Sequence, residues 1–301
     1  MKMEEKEVGL NSPRAWLLAA RPKTLSGAAV PVMVALSMAW CDLSGSGFKV
    51  LPAILCLLFA FLMQIDANLV NDYFDFRKGT DDEQRLGPKR ACAQGWVTLS
   101  AMRKAIALTT AAACAVGIPL VLYGGWWMVA IGLLCVVFCF LYTTHLSYLG
   151  LGDVLVLLFF GIVPVGATYF LQTGRMTFEV FTASVACGLV IDTLLLVNNY
   201  RDRDNDRRTG KNTLVVRIGA RATERLFPAL GIAACLLGLV YWAYGHFWAF
   251  LLPVVYLSLH LVTSERMKTI NKGFGLNKIL GENARNMFIY GILLSIGFLL
   301  G

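Results

Sequence analysis

The chain has 301 residues, of which 57% are apolar and 15% are charged, with a net charge of +8 and a mean hydropathy of +0.63. Too few polar side chains are present to coat one water-soluble globule of this size, and no hydrophilic block is long enough for a separate domain of about 100 residues. The composition therefore argues against soluble kinases, Rossmann-type domains and nucleic-acid-binding proteins, and it predicts a polytopic membrane protein.

The chain opens with an acidic run, Met1 to Glu7, instead of a basic stretch that leads into a short apolar core. We therefore expect no cleavable signal peptide, and we expect residues 1–23 to form a cytoplasmic amphipathic segment. Nine apolar runs of spanning length follow, at 24–41, 50–71, 105–123, 124–143, 151–172, 178–200, 222–244, 247–264 and 284–301.

Basic residues lie almost entirely on one side of this predicted topology. With a cytoplasmic N-terminus, 25 of the 27 Lys and Arg fall on the cytoplasmic side, and only Lys49 and Arg175 fall on the other. Positive charge is retained in cytoplasmic segments during insertion. The asymmetry therefore supports both the count of nine spans and the cytoplasmic N-terminus.

Two cytoplasmic segments, 72–104 and 201–221, are long and carry acids among their bases, whereas a segment that only sets topology needs just Lys and Arg. The first begins within Asn71-Asp-Tyr-Phe-Asp75, and the second follows Asn198-Asn-Tyr and contains Asp202 and Asp206. The pattern N-x-Y-x-D therefore occurs twice, 127 residues apart, each time where an apolar run ends. This spacing indicates an internal repeat, and we expect the chemistry to lie in these two catalytic loops.

Within each copy the polar residues are four apart, so on a helix they share one face. Asn71 with Asp75, and Asn198 with Asp202 and Asp206, would form two columns of oxygen ligands. Such oxygens suit Mg²⁺, which usually takes one or two carboxylates together with substrate phosphates and water. With the neighbouring Lys and Arg, the pattern indicates a diphosphate site. The alternative is a solvated, salt-bridged loop, which two matched copies at equivalent helix ends disfavour.

Gly79 stands where the second copy has Asp206, so Asp81 or Asp82 is expected to supply the missing acid. Three further acids are weighed inside or at the edge of spans. For Asp66 and Asp192, a functional role and a hydrogen-bonded structural role stay equally open. Asp153 opens the fifth span, where an acid stabilises a helix N-terminus, so a cap is favoured over catalysis. Four prolines inside spans are expected to mark kinks: Pro31, Pro119, Pro164 and Pro253.

These motifs resemble the UbiA superfamily of intramembrane prenyltransferases. The likeness is strongest to its menaquinone branch, which prenylates 1,4-dihydroxy-2-naphthoate, and it runs over nearly the whole chain. Besides the repeated motif, it rests on five stretches: Arg21-Pro-Lys-Thr-Leu25, Arg85-Leu-Gly-Pro-Lys-Arg90, Tyr148-Leu-Gly-Leu-Gly-Asp153, Tyr169-Phe-Leu-Gln-Thr-Gly174 and Gly210-Lys-Asn-Thr-Leu-Val-Val-Arg-Ile-Gly219. Gly79 in the first motif is typical of the naphthoate branch and departs from the hydroxybenzoate branch.

The resemblance implies one all-α transmembrane domain over residues 1–301, with nine helices bundled around a central cavity open to lipid. It implies Mg²⁺ as the cofactor, held by Asn71, Asp75, Asp81, Asn198, Asp202 and Asp206, and catalysis by Asp72, Asp75, Asp202 and Asp206. Substrate contacts are implied for Lys23, Asn68, Arg85, Arg90, Tyr148 and Lys211.

The implied partners are a polyprenyl diphosphate, 1,4-dihydroxy-2-naphthoate and the lipid bilayer, with no nucleic acid and no obligate protein partner. The implied reaction releases diphosphate and CO₂ at the cytoplasmic side of a bacterial inner membrane. Another aromatic acceptor, such as 4-hydroxybenzoate, stays open as an alternative. A secondary transporter is the rival from a different class, but its polar residues should lie near the bilayer midplane; here they cluster at the ends of the apolar runs.

Overall fold

The computed structural model describes residues 8–79 and 86–301. Within these ranges the chain is helical and contains no β-strand, as the sequence predicts. The α-helices are α1 Pro13–Ala20, α2 Leu25–Asp42, α3 Val50–Arg77, α4 Leu99–Gly117, α5 Val121–Gly124, α6 Trp127–Leu141, α7 Gly152–Val156, α8 Val163–Thr173, α9 Phe178–Arg208, α10 Leu214–Ile218, α11 Ala220–Ala243, α12 Phe247–Leu251, α13 Val254–Ile270 and α14 Leu276–Leu299. Two segments are π-helical. The first, Tyr142–Leu146, continues α6, and the second, Leu157–Ile162, joins α7 to α8.

Eight helical stretches in the described ranges are long and apolar enough to cross a membrane, and they correspond to the first eight predicted spans. The ninth predicted span lies in α14, which is not among the eight and whose first half carries Lys278, Glu282 and Arg285. The all-α polytopic architecture is therefore confirmed. The count of nine, the cytoplasmic N-terminus and an opening to lipid stay predictions.

Prolines interrupt the spans at three of the four positions where kinks are predicted. Pro119 lies in a 3₁₀ turn between α4 and α5, Pro164 is in the first turn of α8, and Pro253 separates α12 from α13. Pro31 lies within α2. Because proline lacks a backbone N–H, each break removes one helical hydrogen bond.

Helix α9 occupies the middle of the bundle and is its most buried span. It packs against α11, α14, α8 and the π-helical segment Leu157–Ile162, while α2 packs against α14 and α8, and α3 against α4. The largest core cluster joins side chains of α2, α8, α9, α11, α13 and α14, and it contains four buried tyrosines: Tyr169, Tyr241, Tyr256 and Tyr290.

Helices α3 and α9 are longer than the hydrocarbon layer is thick. They contain 28 and 31 residues, which at the α-helical rise corresponds to about 42 Å and about 46 Å, against about 30 Å for hydrocarbon. Both continue beyond their predicted ends, to Arg77 and Arg208. The acids of both motifs therefore lie on the last helical turns, and the segments predicted as loops begin with helix.

Glycine permits a close helix contact between α9 and the π-helical segment before α8. A Cβ atom on Gly161 would lie 2.8 Å from the Cα atom of Gly188, closer than real Cβ contacts. Gly132 in α6 is different, because a Cβ atom there would meet no atom within 4 Å.

We therefore expect Gly161→Ala to lower the thermal unfolding midpoint of the detergent-purified protein, since an extra methyl group in a packed contact typically costs about 1–3 kcal/mol. The matched change Gly132→Ala should leave the midpoint unchanged or raise it slightly, since alanine favours helix. Equal midpoints for the two variants would contradict the close contact.

Candidate active site

A cavity lies where the C-terminal turns of α3 and α9 approach each other, and it encloses about 550 Å³ of space, part of it open to solvent. The structure brings Asp75 of the first motif to the same cavity as Asn198, Asp202 and Asp206 of the second. The predicted substrate contacts Arg90, Tyr148 and Lys211 also line it, together with three residues that the sequence does not single out: Leu86, Asn205 and Thr209.

Asp75 is held by an arginine from the segment that follows the first motif. Arg90 Nη2 donates to Asp75 Oδ2 at 3.3 Å, and both side chains are largely buried. Charge-assisted bonds of this kind are stronger than neutral ones. Arg90, whose side chain also lines the cavity, therefore provides the counter-charge to Asp75.

Asp72, which is predicted as a catalytic residue, bonds to the backbone of the segment that follows Arg90. Its carboxylate is buried, and its two oxygens accept hydrogen bonds from the backbone N–H groups of Ala91 at 2.8 Å and Cys92 at 3.0 Å. It is not among the residues that line the cavity. Asp72 thus anchors the chain directly after Arg90 to α3, and it sets the position of Arg90 rather than facing the open space.

The second motif is organised around Arg201, which sequence reasoning missed. Its buried guanidinium donates to both oxygens of Asp202, at 2.8 and 2.6 Å, and to Asn198 Oδ1 at 2.7 Å. A fourth bond, 2.8 Å long, reaches Asn277 Oδ1 at the start of α14, and Asn277 in turn donates to the carbonyl of Leu86 at 2.7 Å. One arginine therefore connects α9, α14 and the cavity wall.

Tyr148 lies beside two lysines on the cavity rim. Lys78 Nζ sits 4.0 Å from the centre of the Tyr148 ring, and Lys211 Nζ sits 6.0 Å from it. Lys78 also donates to the carbonyl of Thr144 at 2.6 Å. Partial burial lowers the pKa of Lys78, Lys211 lowers it further, and Asp75 acts in the opposite direction. The rim therefore carries concentrated positive charge next to an aromatic face.

Three further predicted site residues lie outside the cavity lining. Asn71 accepts a hydrogen bond from the Thr143 hydroxyl in the first π-helical segment. Asn68 donates to the carbonyl of Ala20 at 3.0 Å and to Thr24 Oγ1 at 2.9 Å, so it fastens the N-terminal segment to α3. Lys23 is exposed in the same segment. Asp81 and Arg85 lie outside the described residues.

Asp66 also lies away from the cavity. It is fully buried and accepts a hydrogen bond from Thr110 Oγ1 at 2.7 Å, between α3 and α4. Of the two interpretations of Asp66, this contact favours the structural one. The hydrogen bond from Thr110 partly offsets the free-energy cost of burying a carboxyl group.

The donor set fits a hard cation, because the cavity lining offers carboxylate and amide oxygens from Asp75, Asn198, Asp202 and Asp206. In the part of the chain that the structure describes, no three acidic, His or Cys side chains form a ready-made metal cluster. The carboxylates of Asp75 and Asp202 are bonded to arginines instead. A cation would therefore have to draw some of its ligands from a bound anion.

The sequence profile of the UbiA prenyltransferase family matches residues 28–277 of the chain. The 1,4-dihydroxy-2-naphthoate octaprenyltransferase of Escherichia coli (strain K12) is 36% identical over 241 residues, covering 76% of this chain and 77% of the relative. The enzyme of the same name from Haemophilus influenzae is 31% identical over 315 residues, covering 99% of this chain and all of the relative.

Among solved structures, the apo form of a UbiA homolog from Aeropyrum pernix K1 matches with a TM-score of 0.68 at 17% identity, covering 90% of this chain and 97% of that one. A UbiA homolog from Archaeoglobus fulgidus bound to DMAPP and Mg²⁺ matches with a TM-score of 0.60 at 13% identity, covering 93% and 99%. At such identities the likeness shows the fold alone.

The anchoring role of Asp72 can be tested without an activity assay, because Cys92 is buried next to it. We expect Asp72→Ala to raise the rate at which a maleimide labels Cys92 by about tenfold or more, since hydrogen bonds to a charged group contribute about 1.5–3 kcal/mol each. Labelling is measured for each cysteine by peptide mass spectrometry. Cys187, which is fully buried in α9, serves as the internal control. An unchanged Cys92 rate would refute the anchor.

Proposed function

The chain belongs to the UbiA prenyltransferase family, and we propose that it transfers a polyprenyl group from a polyprenyl diphosphate to 1,4-dihydroxy-2-naphthoate in menaquinone biosynthesis. The observation that carries the proposal is the cavity in which acids from the ends of α3 and α9 meet Arg90 and Lys211. The reaction class is inferred from the family, and the naphthoate acceptor is inferred from the names of the relatives.

The mixture of charges around the cavity suits a diphosphate. Arg90 and Lys211 offer direct charge-assisted bonds to phosphate oxygens, while Asp75, Asp202 and Asp206 offer ligands for Mg²⁺. Mg²⁺, when bound with the substrate, neutralises the charge that grows on the leaving diphosphate. This cation needs only one or two carboxylates besides phosphate oxygens, which agrees with the absence of a three-acid cluster in the described ranges. The Archaeoglobus homolog bound to DMAPP and Mg²⁺ is a relative in fold in which the two occur together.

The side chains around the cavity support the bond changes as follows. Arg90 and Lys211 stabilise the diphosphate as it takes the electron pair of the breaking allylic C–O bond. The electron-rich ring then attacks the allylic cation through the ring carbon that bears the carboxylate. The bond from this carbon to the carboxylate then breaks, CO₂ leaves, and its electron pair returns to the ring.

We place the site at the cytoplasmic face of a bacterial inner membrane, within one domain spanning residues 1–301 and with 72–104 and 201–221 as its catalytic segments. The distribution of Lys and Arg supports this orientation. Among the predicted residues outside the lining, Asn71 and Asp81 are proposed as additional metal ligands, and Lys23 and Arg85 as additional phosphate contacts, in the substrate-bound state. Asp72 and Asn68 are proposed as positioning residues, given the backbone groups they hold.

The proposal is tested with detergent-purified protein, a polyprenyl diphosphate and 1,4-dihydroxy-2-naphthoate, by following prenylated product with Mg²⁺ or with EDTA. We expect Mg²⁺-dependent product that falls at least about 100-fold in Asp202→Asn, because the variant loses a charged ligand. Asp204→Asn is the matched control: this acid is two residues away, but it is exposed and pairs with Lys272 at 3.5 Å.

Product with 4-hydroxybenzoate and none with the naphthoate would keep the reaction class and replace the acceptor. Absence of diphosphate binding, or equal activity in Asp202→Asn and the wild type, would contradict the site itself.

Arg201 generates a separate prediction. Because its guanidinium fixes Asp202 and Asn198 together, Arg201→Lys should raise the Mg²⁺ concentration for half-maximal activity by about tenfold, since a lysine cannot replace the two-pronged bond. Arg207→Lys, an exposed position on the same helix end, is the control. A lower Mg²⁺ requirement would show instead that Arg201 competes with the metal.

A further inference from the structure

A second, smaller recess adjoins the diphosphate cavity and shares Lys211 with its lining. It encloses about 210 Å³ of space, part of it open to solvent, and is lined by Tyr142, Ser147, Gly150, Gly152, Asp153, Asn199, Lys211 and Thr213. Lys211 lines both spaces. The recess therefore begins where the proposed leaving-group site ends.

Hydrogen bonds between two chain segments hold the recess in place. The turn after the first π-helical segment accepts bonds from the segment after α9: Asn212 N donates to the carbonyl of Tyr148 at 3.2 Å, and Arg217 Nη2 donates to the carbonyl of Leu149 at 2.6 Å. Tyr142 opens the π-helical segment on the other side. Such π-helical turns are rare and frequently occur at functional sites.

Several polar groups around the recess lack partners within the described chain. Asn199 is 4% exposed, and no described residue hydrogen-bonds to its side chain. Oδ1 of Asp153 and Oδ1 of Asp192 are buried and also unbonded among the described residues. Asp153 lies in the first turn of α7, as expected for an acid at a helix N-terminus, although α7 has no side-chain cap hydrogen bond. A buried oxygen without a partner is costly, so a ligand in the recess that bonds to Asp153 Oδ1 would offset that cost.

Lys211 links the recess to the diphosphate cavity, because it lines both spaces. Tyr142 lies on the recess wall beside Gly152, the residue before Asp153: a Cβ atom on Gly152 would lie 3.7 Å from the Tyr142 hydroxyl. A ring substituent held in the recess would therefore lie next to the proposed leaving-group site.

We propose that this recess binds the ring substituents of the aromatic acceptor, a proposal that rests on the proposed function. Asp153 accepts a hydrogen bond from a ring hydroxyl, and Asn199 donates its amide N–H to a second oxygen of the same ring. The specificity for a hydroxylated aromatic acid then arises here, separately from diphosphate recognition.

The hydrogen bond to Asp153 also assists the reaction. As the hydroxyl proton moves toward the carboxylate, the ring gains electron density and attacks the allylic carbon, while the diphosphate takes the electron pair of the C–O bond. When CO₂ leaves, the pair of its C–C bond restores the ring and the proton returns to the ring oxygen. No net proton or further reactant is required.

The test compares Asp153→Asn and Asn199→Ala with wild type in two measurements: KM for each substrate, and direct binding of 1,4-dihydroxy-2-naphthoate followed by its own fluorescence. We expect an increase of about tenfold or more in the acceptor KM and a matching loss of naphthoate binding, because an unpaired or missing partner typically costs about 1–3 kcal/mol. The KM for the polyprenyl diphosphate should stay unchanged. The two substitutions lie on different helices, so if one variant fails to fold, the other still tests the proposal.

Asp66→Asn is the matched control, since it removes a buried intramembrane acid outside the recess and should leave the acceptor KM unchanged. An unchanged acceptor KM in both recess variants, or an equal rise in the KM for the diphosphate, would overturn the recess assignment while the proposed function stands. Absence of both transfer and naphthoate binding in the wild type would overturn the proposed function instead.

Discussion

The cost of placing charge in hydrocarbon determines where this protein carries out its chemistry. Carboxylates are expensive inside the bilayer, so an intramembrane protein can gather them only where its helices leave the hydrocarbon. Helices α3 and α9 are long enough to carry their last turns past that boundary, and both end in the same arrangement of polar residues. The cavity between these helix ends is therefore lined mostly by charged and polar side chains, and it lies directly beside apolar spans.

Two of the acids at that boundary have counter-charges within the chain itself. Asp75 is paired with Arg90, and Asp202 with Arg201, so neither acid lacks a counter-charge. Removing one partner of such a pair destabilises the protein by more than the pair stabilises it, because it leaves a poorly solvated charge without a counter-charge. Under the proposed function, a diphosphate that arrives with its cation would exchange these contacts without net loss of charge balance. Such an exchange would account for a site rich in both signs, in which the acids are not clustered as bare metal ligands.

The elements that were predictable from sequence are those with a local signal. Apolar runs located eight helical stretches, and the repeated N-x-Y-x-D pattern placed Asp75 and Asp202 at equivalent helix ends, where they meet. The roles of Asp72 and Arg201 were not predictable, because their partners are backbone groups or residues far along the chain. The contact of Asn277 could not be predicted from the sequence, because a single asparagine before an apolar run belongs to no recognisable motif. Contacts that depend on packing of distant helices have to be seen in the fold.

Under the proposed function, separate walls for the leaving group and for the acceptor would have a physical consequence for specificity. The diphosphate would be recognised by charge at the helix ends, and every prenyl donor carries that group, so those residues would not distinguish one aromatic acceptor from another. Discrimination between acceptors must come from uncharged shape or from individual hydrogen bonds deeper in the protein, where an unmatched polar group is costly. Asp153 and Asn199 lie in such a place, on different helices from Asp75 and next to the shared Lys211. A change of acceptor could therefore arise in the recess while the acidic motifs, and the bond breaking that they support, stay intact.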